Sequence, residues 1–168
     1  MKTAGEIIGV LGIVINFLIY QQTDRKKLLI VKLISDIAWL SHYLCLTAFS
    51  AFAVCTVGML REITFLLTDE KKHSQRRVFL VIFAIVAVIT SSLTMKDFYG
   101  LLPALASLIA VFSYWQQNPK VTKFLGIPIS LSMLIYDIMR FSIMGFANEI
   151  LTLISITFFF PIRFLLIQ

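Results

Sequence analysis

Residues 5–46 read GEIIGVLGIVINFLIYQQTDRKKLLIVKLISDIAWLSHYLCL, which is two apolar runs joined by a short basic loop. Each run is close to the roughly 20 residues that an α-helix needs to cross a bilayer. Strands of a membrane barrel would be about ten residues long and would alternate in polarity, whereas both runs are apolar at odd and even positions. The stretch therefore predicts two membrane-spanning helices with a tight turn between them.

The remainder of the 168-residue chain also consists of apolar runs separated by short polar segments. Polar clusters and glycine or proline residues separate seven apolar spans, at residues 5–22, 28–46, 48–67, 77–94, 98–115, 122–140 and 144–167. Charged residues make up 14% of the chain, against about 25% in an ordinary soluble domain. We therefore expect an all-α membrane protein with seven transmembrane helices, in which residues 1–168 form a single transmembrane domain.

Basic residues are concentrated in alternate loops, with nine on one side of the predicted membrane and three on the other. The positive-inside rule then places the N-terminus outside and the C-terminus in the cytoplasm. The net charge of +6 does not indicate a nucleic-acid partner, because the basic residues do not line one face. The nine are Arg25, Lys26, Lys27, Lys71, Lys72, Arg76, Arg77, Lys120 and Lys123, and the three are Lys2, Lys96 and Arg140.

Three short segments of the first half recur in the second half, in the same order and at offsets that fall from about 95 to about 93 residues. An internal repeat is therefore predicted, with three-helix units at residues 5–67 and 98–167 and a linker helix at residues 77–94. The single linker helix gives both units the same orientation, which makes them parallel repeats. The matched segments are Tyr20-Gln21-Gln22 with Trp115-Gln116-Gln117, Phe52-Ala53 with Phe146-Ala147, and Ile63-Thr64-Phe65 with Ile156-Thr157-Phe158.

Four local motifs, together with this 3+1+3 plan, carry a resemblance to a known family. They are Tyr20-Gln21-Gln22 with its basic loop, Ser35-Asp36-Ile37-Ala38-Trp39, Gly58-Met59-Leu60-Arg61-Glu62 and Tyr114-Trp115-Gln116-Gln117-Asn118-Pro119. Over nearly its whole length the chain resembles the bacterial YgjV-type inner-membrane family within the PQ-loop superfamily, which includes the SWEET sugar transporters. The resemblance implies a multi-pass protein of the bacterial inner membrane. It implies no particular substrate.

Four ionisable residues lie well inside predicted spans, where each costs on the order of 2.5–3.5 kcal/mol or more: Asp36, Arg61, Glu62 and Asp137. Asp36 and Arg61 lie roughly 12 Å and 10 Å from the cytoplasmic side at 1.5 Å of rise per residue, so an ion pair between them is predicted. Glu62 points about 100° away from Arg61 and is expected to need another partner. The alternatives are a neutral, protonated Glu62 and a role in proton coupling. The pair either fixes helix register or presents Arg61 to an anionic or hydroxyl-rich solute, with Asp36 orienting it.

Other candidate residues follow from position and from the repeat. Trp39 lies near mid-membrane and either stacks on a solute or packs in the core. His42 aligns with Asp137 across the repeat, and the two form either a pH-sensitive gate or ordinary polar positions near the interface. Asn148 begins a polar stripe on the seventh span, which either contributes to solute binding or joins helices.

No catalytic motif is present, and the two cysteines, Cys45 and Cys55, have no metal or redox spacing. We therefore expect no enzymatic activity, no cofactor and no metal. The predicted function is a SWEET-like transporter or facilitator of a small polar solute, with a midplane site between the repeats. A PnuC-like vitamin transporter and a non-transporting membrane scaffold or sensor are the alternatives. The expected partners are the lipid bilayer and the solute, and a homo-oligomer stays open.

Overall fold

The computed structural model describes residues 2–47, 49–68, 73–95 and 98–165, and within these residues the chain is entirely helical. A one-turn 3₁₀ segment, Phe98–Gly100, precedes the fifth α-helix. The seven α-helices are α1 Lys2–Ile19, α2 Arg25–Cys45, α3 Phe49–Leu67, α4 His73–Thr94, α5 Leu101–Trp115, α6 Pro119–Arg140 and α7 Ile143–Leu165.

Each predicted span coincides with one of these helices, but several helix ends differ from the prediction. Four helices, α1, α2, α4 and α6, begin three or four residues before the predicted spans. Local capping explains two of these starts: the Asp24 side chain accepts from Lys27 N, and the Asn118 side chain accepts from Lys120 N. At the other end of α1, residues 20–22 form the turn and not the helix. Lys71, Lys72, Lys96 and residues 166–167 lie outside the described residues.

Consecutive helices pack against one another, and α7 also packs against α1, so that the seven helices close into a ring. Short connections account for this order, since two to five residues leave antiparallel neighbours as the natural arrangement. α5 additionally contacts α3 across the ring. This contact brings a helix of the second half against the first half.

The outer surface is apolar and the interior is comparatively polar. Large apolar side chains along one side of α4 are exposed, among them Val81, Ile85 and Ile89, whereas buried positions include many polar and charged residues. A soluble protein rarely exposes so much contiguous apolar surface. In the part of the chain that the structure describes, four helical segments are long and apolar enough to cross a bilayer: Arg25–Cys45, Arg76–Leu93, Phe98–Trp115 and Pro119–Arg140. The fold is therefore that of a membrane protein.

The starts of α2, α4 and α6 lie together at one end of the bundle, which we call the basic end. Arg25 donates from Nε to the Gln116 carbonyl (2.6 Å) and from Nη2 to the Tyr114 carbonyl (3.1 Å). Arg76 donates to the Trp115 carbonyl (2.6 Å), and the Trp115 indole donates back to the Arg76 carbonyl (3.1 Å). Two guanidinium groups thus satisfy carbonyls at the C-terminus of α5, where the helix dipole favours positive charge.

Candidate functional site

Four ionisable side chains from α2 and α3 form a charged cluster inside the bundle: Lys32, Asp36, Arg61 and Glu62. Lys32 pairs with Asp36 one turn later on α2, through Nζ and Oδ1. Arg61 pairs with its chain neighbour Glu62, whose Oε1 accepts from Nη2 (2.7 Å) and Nε (3.2 Å). Asp36, Arg61 and Glu62 are all buried. The cluster contains two cations and two anions and is formally neutral.

This pairing corrects the predicted ion pair between Asp36 and Arg61. Lys32 lies one turn from Asp36 on the same helix and reaches it first, while the Arg61 side chain folds onto the adjacent Glu62. The expectation that Glu62 needs a partner other than Arg61 is also wrong. Arg61 and Asp36 nevertheless meet at one place, because Arg61 Nη2 and Asp36 Oδ2 each lie 3.9 Å from the position that a Cβ would take on Gly58.

Two carboxylate oxygens of the cluster have no hydrogen-bond partner among the described residues: Asp36 Oδ2 and Glu62 Oε2. Both lie near Gly58, at 3.9 Å and 3.8 Å from the position that a Cβ would take on that residue. A buried acceptor left unsatisfied costs about 1–3 kcal/mol, and more when it is charged. Such oxygens therefore indicate a place for a hydrogen-bond donor that the protein does not itself supply.

An aromatic ring from the second half of the chain covers the cluster. The Arg61 guanidinium lies over the Tyr114 ring with 5.1 Å between Cζ and the ring centroid, and Lys32 Nζ lies 5.9 Å from the same centroid. Cations at such distances are attracted to the face of the ring. Because Arg25 binds the Tyr114 carbonyl, the basic end also fixes the position of this ring.

The cluster borders a cavity of about 240 Å³, which we call the central cavity. At the volume of liquid water it has room for about eight water molecules, enough for a small polar solute. Five helices line it, α2 to α6, and therefore both halves of the chain contribute. Its polar lining consists of Lys32, Asp36, Cys55, Arg61, Thr90, Ser107 and Tyr114.

Trp39, a predicted solute-binding residue, lies outside the central cavity. Its indole packs against α1, so close to Gly12 that a Cβ there would be 3.3 Å from the ring. It also stacks on Tyr43 at 5.7 Å and meets His42 edge-on at 5.4 Å. The structure thus places a half-buried Trp39 against neighbouring side chains of α1 and α2, away from the central cavity.

His42 and Asp137, the predicted gate pair, each contact a different neighbouring helix. His42 Nδ1 lies 2.7 Å from the Gly5 carbonyl on α1. The Asp137 carboxylate packs against the start of α7, so close to Gly145 that no Cβ would fit there. The structure brings no His42–Asp137 contact, because each side chain points at a small residue of an adjacent helix.

Asn148, the remaining predicted binding residue, belongs to a second polar group between α1 and α7, the α1–α7 seam. Asn16 donates from Nδ2 to Asn148 Oδ1 (2.9 Å) and to Thr152 Oγ1 (3.0 Å), and Asn148 donates to Glu149 Oε1 (3.0 Å). Asn148 therefore joins helices and does not line the central cavity. Asn16 and Glu149 were not predicted as functional residues. Each is a polar residue inside an apolar span, and that position alone could have indicated them.

Tyr114 and Lys32 were also not predicted as cavity residues. The position of Tyr114 near a helix end is typical of an aromatic residue at the membrane–water interface. Only the contact of α5 with α3 places its ring over Arg61.

Comparison with protein-family models matches residues 3–163 to Imp-YgjV, described as a bacterial inner membrane protein family. The chain belongs to this family. The match spans almost all of the described helices and confirms the YgjV-type resemblance and the inner-membrane location. Searches of curated proteins and of solved structures give no match.

In this YgjV-type protein the central cavity offers both donors and acceptors to a bound molecule. Arg61 and Lys32 supply N–H groups, Asp36 supplies an oxygen without a partner among the described residues, and Tyr114 supplies an aromatic face. Within the described residues, no group of three or more histidine, cysteine, aspartate or glutamate side chains could hold a metal ion. The arrangement suits reversible binding of a polar molecule.

Proposed function

We propose that the protein is a non-enzymatic membrane carrier that moves a small polar solute through the central cavity. In this proposal α1–α3 and α5–α7 are parallel three-helix repeats joined by α4, as in SWEET-like transporters. The solute binds between the two units and contacts Arg61, Asp36, Lys32 and Tyr114.

One observation carries the proposal: the central cavity is lined by three charged side chains inside the bundle, Lys32, Asp36 and Arg61, and Asp36 Oδ2 has no hydrogen-bond partner among the described residues. Charges in the hydrocarbon region are costly and usually mark a substrate or ion pathway. A purely structural cluster would be expected to satisfy its own acceptors. Here Asp36 Oδ2 and Glu62 Oε2 have no such partner among the described residues.

Helix packing supports the repeat. In each half the middle helix packs against both of the others, so that α1, α2 and α3 have the same packing order as α5, α6 and α7. Ser35 and Ser130, which correspond at an offset of 95 residues, are both fully buried on these middle helices. Sites near the midplane at a repeat interface are the general expectation for such carriers.

The proposed topology places the basic end in the cytoplasm and the N-terminus outside. The contacts of Arg25 and Arg76 with the end of α5 support one shared basic side. Positive charge near short loops is the feature that sets orientation during insertion.

The direct test uses Cys55, which lines the central cavity and is one of only two cysteines. In a Cys45→Ser background, Cys55 is the sole thiol. A small, charged, membrane-impermeant methanethiosulfonate reagent should modify it in membrane vesicles if the cavity is hydrated. A thiol that reacts only after denaturation would indicate a sealed interior and favour a scaffold.

Two control variants give the highest and lowest expected rates of thiol modification. Each carries its new cysteine in a protein from which Cys45 and Cys55 have been removed. Thr23→Cys places a thiol in the exposed turn before α2 and should react fully. Leu60→Cys places one on the outer surface of α3, where Leu60 is exposed to the lipid, and should resist the charged reagent. Cys55 should react at a rate between these two controls.

A further inference from the structure

A groove runs between α4 and α5 on the apolar outer surface of the bundle. We propose that it binds one anionic phospholipid, with an acyl chain in the groove and the phosphate headgroup at the basic end. The inference concerns the outer surface and does not depend on the proposed function.

The size and lining of the groove match one acyl chain. The groove has a volume of about 530 Å³, and all the residues that line it are apolar. At the volume of liquid water it has room for about eighteen groups of that size, and a methylene group is of similar size. On α4 the lining extends from Leu80 to Ile89, which is about 13.5 Å of helix. One leaflet of the hydrocarbon core is about 15 Å thick, so the groove has the length of a single leaflet.

Ring contacts connect the groove to the basic end of the bundle. Phe112, which lines the α5 side of the groove, stacks on Trp115 with 6.0 Å between the ring centroids. The Arg76 guanidinium lies over the Trp115 ring, with 5.8 Å between Cζ and the centroid. Trp115 is the last residue of α5, and tryptophan is enriched at the membrane–water interface. The groove therefore continues through an interfacial ring to a guanidinium group.

Arg77 adds a second cation at the same end. Val81 and Ala84 line the groove and follow Arg77 by four and seven residues, so the three lie on one face of α4. The Arg77 side chain is exposed. Arginine binds phosphate oxygens through paired N–H groups. From the basic end inward, the surface thus presents cations, an interfacial ring and an apolar groove, which is the order of the parts of a phospholipid.

The headgroup supplies the selectivity of this site. Acyl chains are as apolar as leucine side chains and are common to all phospholipids, so the groove itself does not distinguish between them. A basic residue near the membrane surface favours an anionic headgroup by about fivefold. The two arginines at the end of the groove therefore favour an anionic lipid over a zwitterionic one.

A second copy of the chain fits the groove less well than a phospholipid. Two copies that share one membrane orientation and a twofold axis would bring the same face of α4 together. Arg77 of each copy would then lie near Arg77 of the other, and like charges repel. A phospholipid brings a negative charge to this end instead.

The test is native mass spectrometry of the purified full-length protein in detergent, titrated with phosphatidylglycerol or phosphatidylcholine that have identical acyl chains. Phosphatidylglycerol is anionic, and it should bind at a concentration at least fivefold lower than phosphatidylcholine. Arg77→Ala should weaken phosphatidylglycerol binding by about fivefold. Lys27→Ala removes an exposed cation from α2 at the same end, outside the groove, and should leave binding unchanged.

Ala84→Phe tests the groove itself, because the larger side chain occupies the space proposed for the acyl chain. This variant should weaken the binding of both lipids. Val14→Phe enlarges an exposed apolar side chain on α1 and should bind both lipids as wild type does.

Three results would overturn the lipid site: equal binding of the two lipids, equal losses in Arg77→Ala and Lys27→Ala, and unchanged binding in Ala84→Phe. A protein dimer that Ala84→Phe dissociates would also overturn it, because a second copy would then occupy the groove. The carrier proposal stands or falls separately, on the reactivity of Cys55.

Discussion

At the residue scale, the choice of partner by Arg61 determines what the central cavity presents to a solute. Arg61 binds Glu62 Oε1 and Lys32 binds Asp36 Oδ1. The second oxygen of each carboxylate therefore has no hydrogen-bond partner among the described residues. The sequence could predict that Asp36 and Arg61 reach one depth, since depth follows from rise per residue. It could not predict the pairing, since that depends on side-chain rotamers and on Lys32 competing for Asp36.

Removing one member of the buried pair should be more harmful than removing both. We expect Arg61→Ala to lower the free energy of unfolding by about 3–5 kcal/mol, because Glu62 then lacks its cation. The double variant Arg61→Ala with Glu62→Ala should lose less than Arg61→Ala alone. Unfolding in mixed detergent micelles measures both, and Lys27→Ala, at an exposed position, should change stability by less than about 0.5 kcal/mol. Equal losses in the single and double variants would contradict the pairing.

At the element scale, small residues and helix ends set how the helices meet. Apolar runs were sufficient to predict seven helices, because hydrophobic length is the dominant signal in a membrane. They were insufficient to predict where the helices begin. Asp24 and Asn118 cap α2 and α6, and the first residues of both helices lie outside the apolar runs. They also did not show that Gly12 and Gly145 accept side chains from neighbouring helices.

Two glycine substitutions should have opposite effects on stability. Gly145→Ala would force its Cβ into the Asp137 carboxylate, so we expect a loss of about 1–3 kcal/mol. Gly58→Ala meets only ordinary contacts and should be neutral or stabilising by about 0.5–1 kcal/mol. Melting temperatures of the two purified variants beside wild type measure the difference, and a stable Gly145→Ala would contradict the described packing of α6 on α7.

The buried arginine at the start of α2 should matter more than its exposed neighbours. Arg25 donates to two carbonyls at the end of α5, and each hydrogen bond to a charged group contributes about 1.5–3 kcal/mol. We expect Arg25→Ala to lower stability by at least about 1.5 kcal/mol and Arg25→Lys to lose part of this, because lysine lacks the planar fork. The comparison with Lys27→Ala in the same unfolding assay checks the expectation; similar small effects would show that α5 does not depend on this contact.

At the scale of the whole molecule, a ring of helices encloses a polar centre and shows lipid an apolar surface. The α1–α7 seam closes the ring through Asn16, Asn148 and Thr152. The sequence left open whether Asn148 binds solute or joins helices, because the seam exists only once the ring is closed. The parallel repeat and the membrane orientation stay predictions, and reporter fusions test the orientation.

Fusions should report alternate sides at successive turns. A reporter that is active only outside the cytoplasm should be active after residues 47 and 141 and inactive after residues 22 and 117, because the basic end is proposed to be cytoplasmic. A reporter that is active only in the cytoplasm serves as the control at the same four positions. The reverse pattern would contradict the proposed orientation.

The reactivity of Cys55 in the Cys45→Ser protein is the measurement that bears most directly on a solute-binding central cavity. The charged thiol reagent should be applied separately to right-side-out and inside-out membrane vesicles. A carrier predicts modification from both sides, at rates that fall when the bound solute fills the cavity. A Cys55 thiol that stays unmodified from both sides, while Thr23→Cys reacts from the cytoplasmic side, would contradict the account and leave the charged cluster with a structural role.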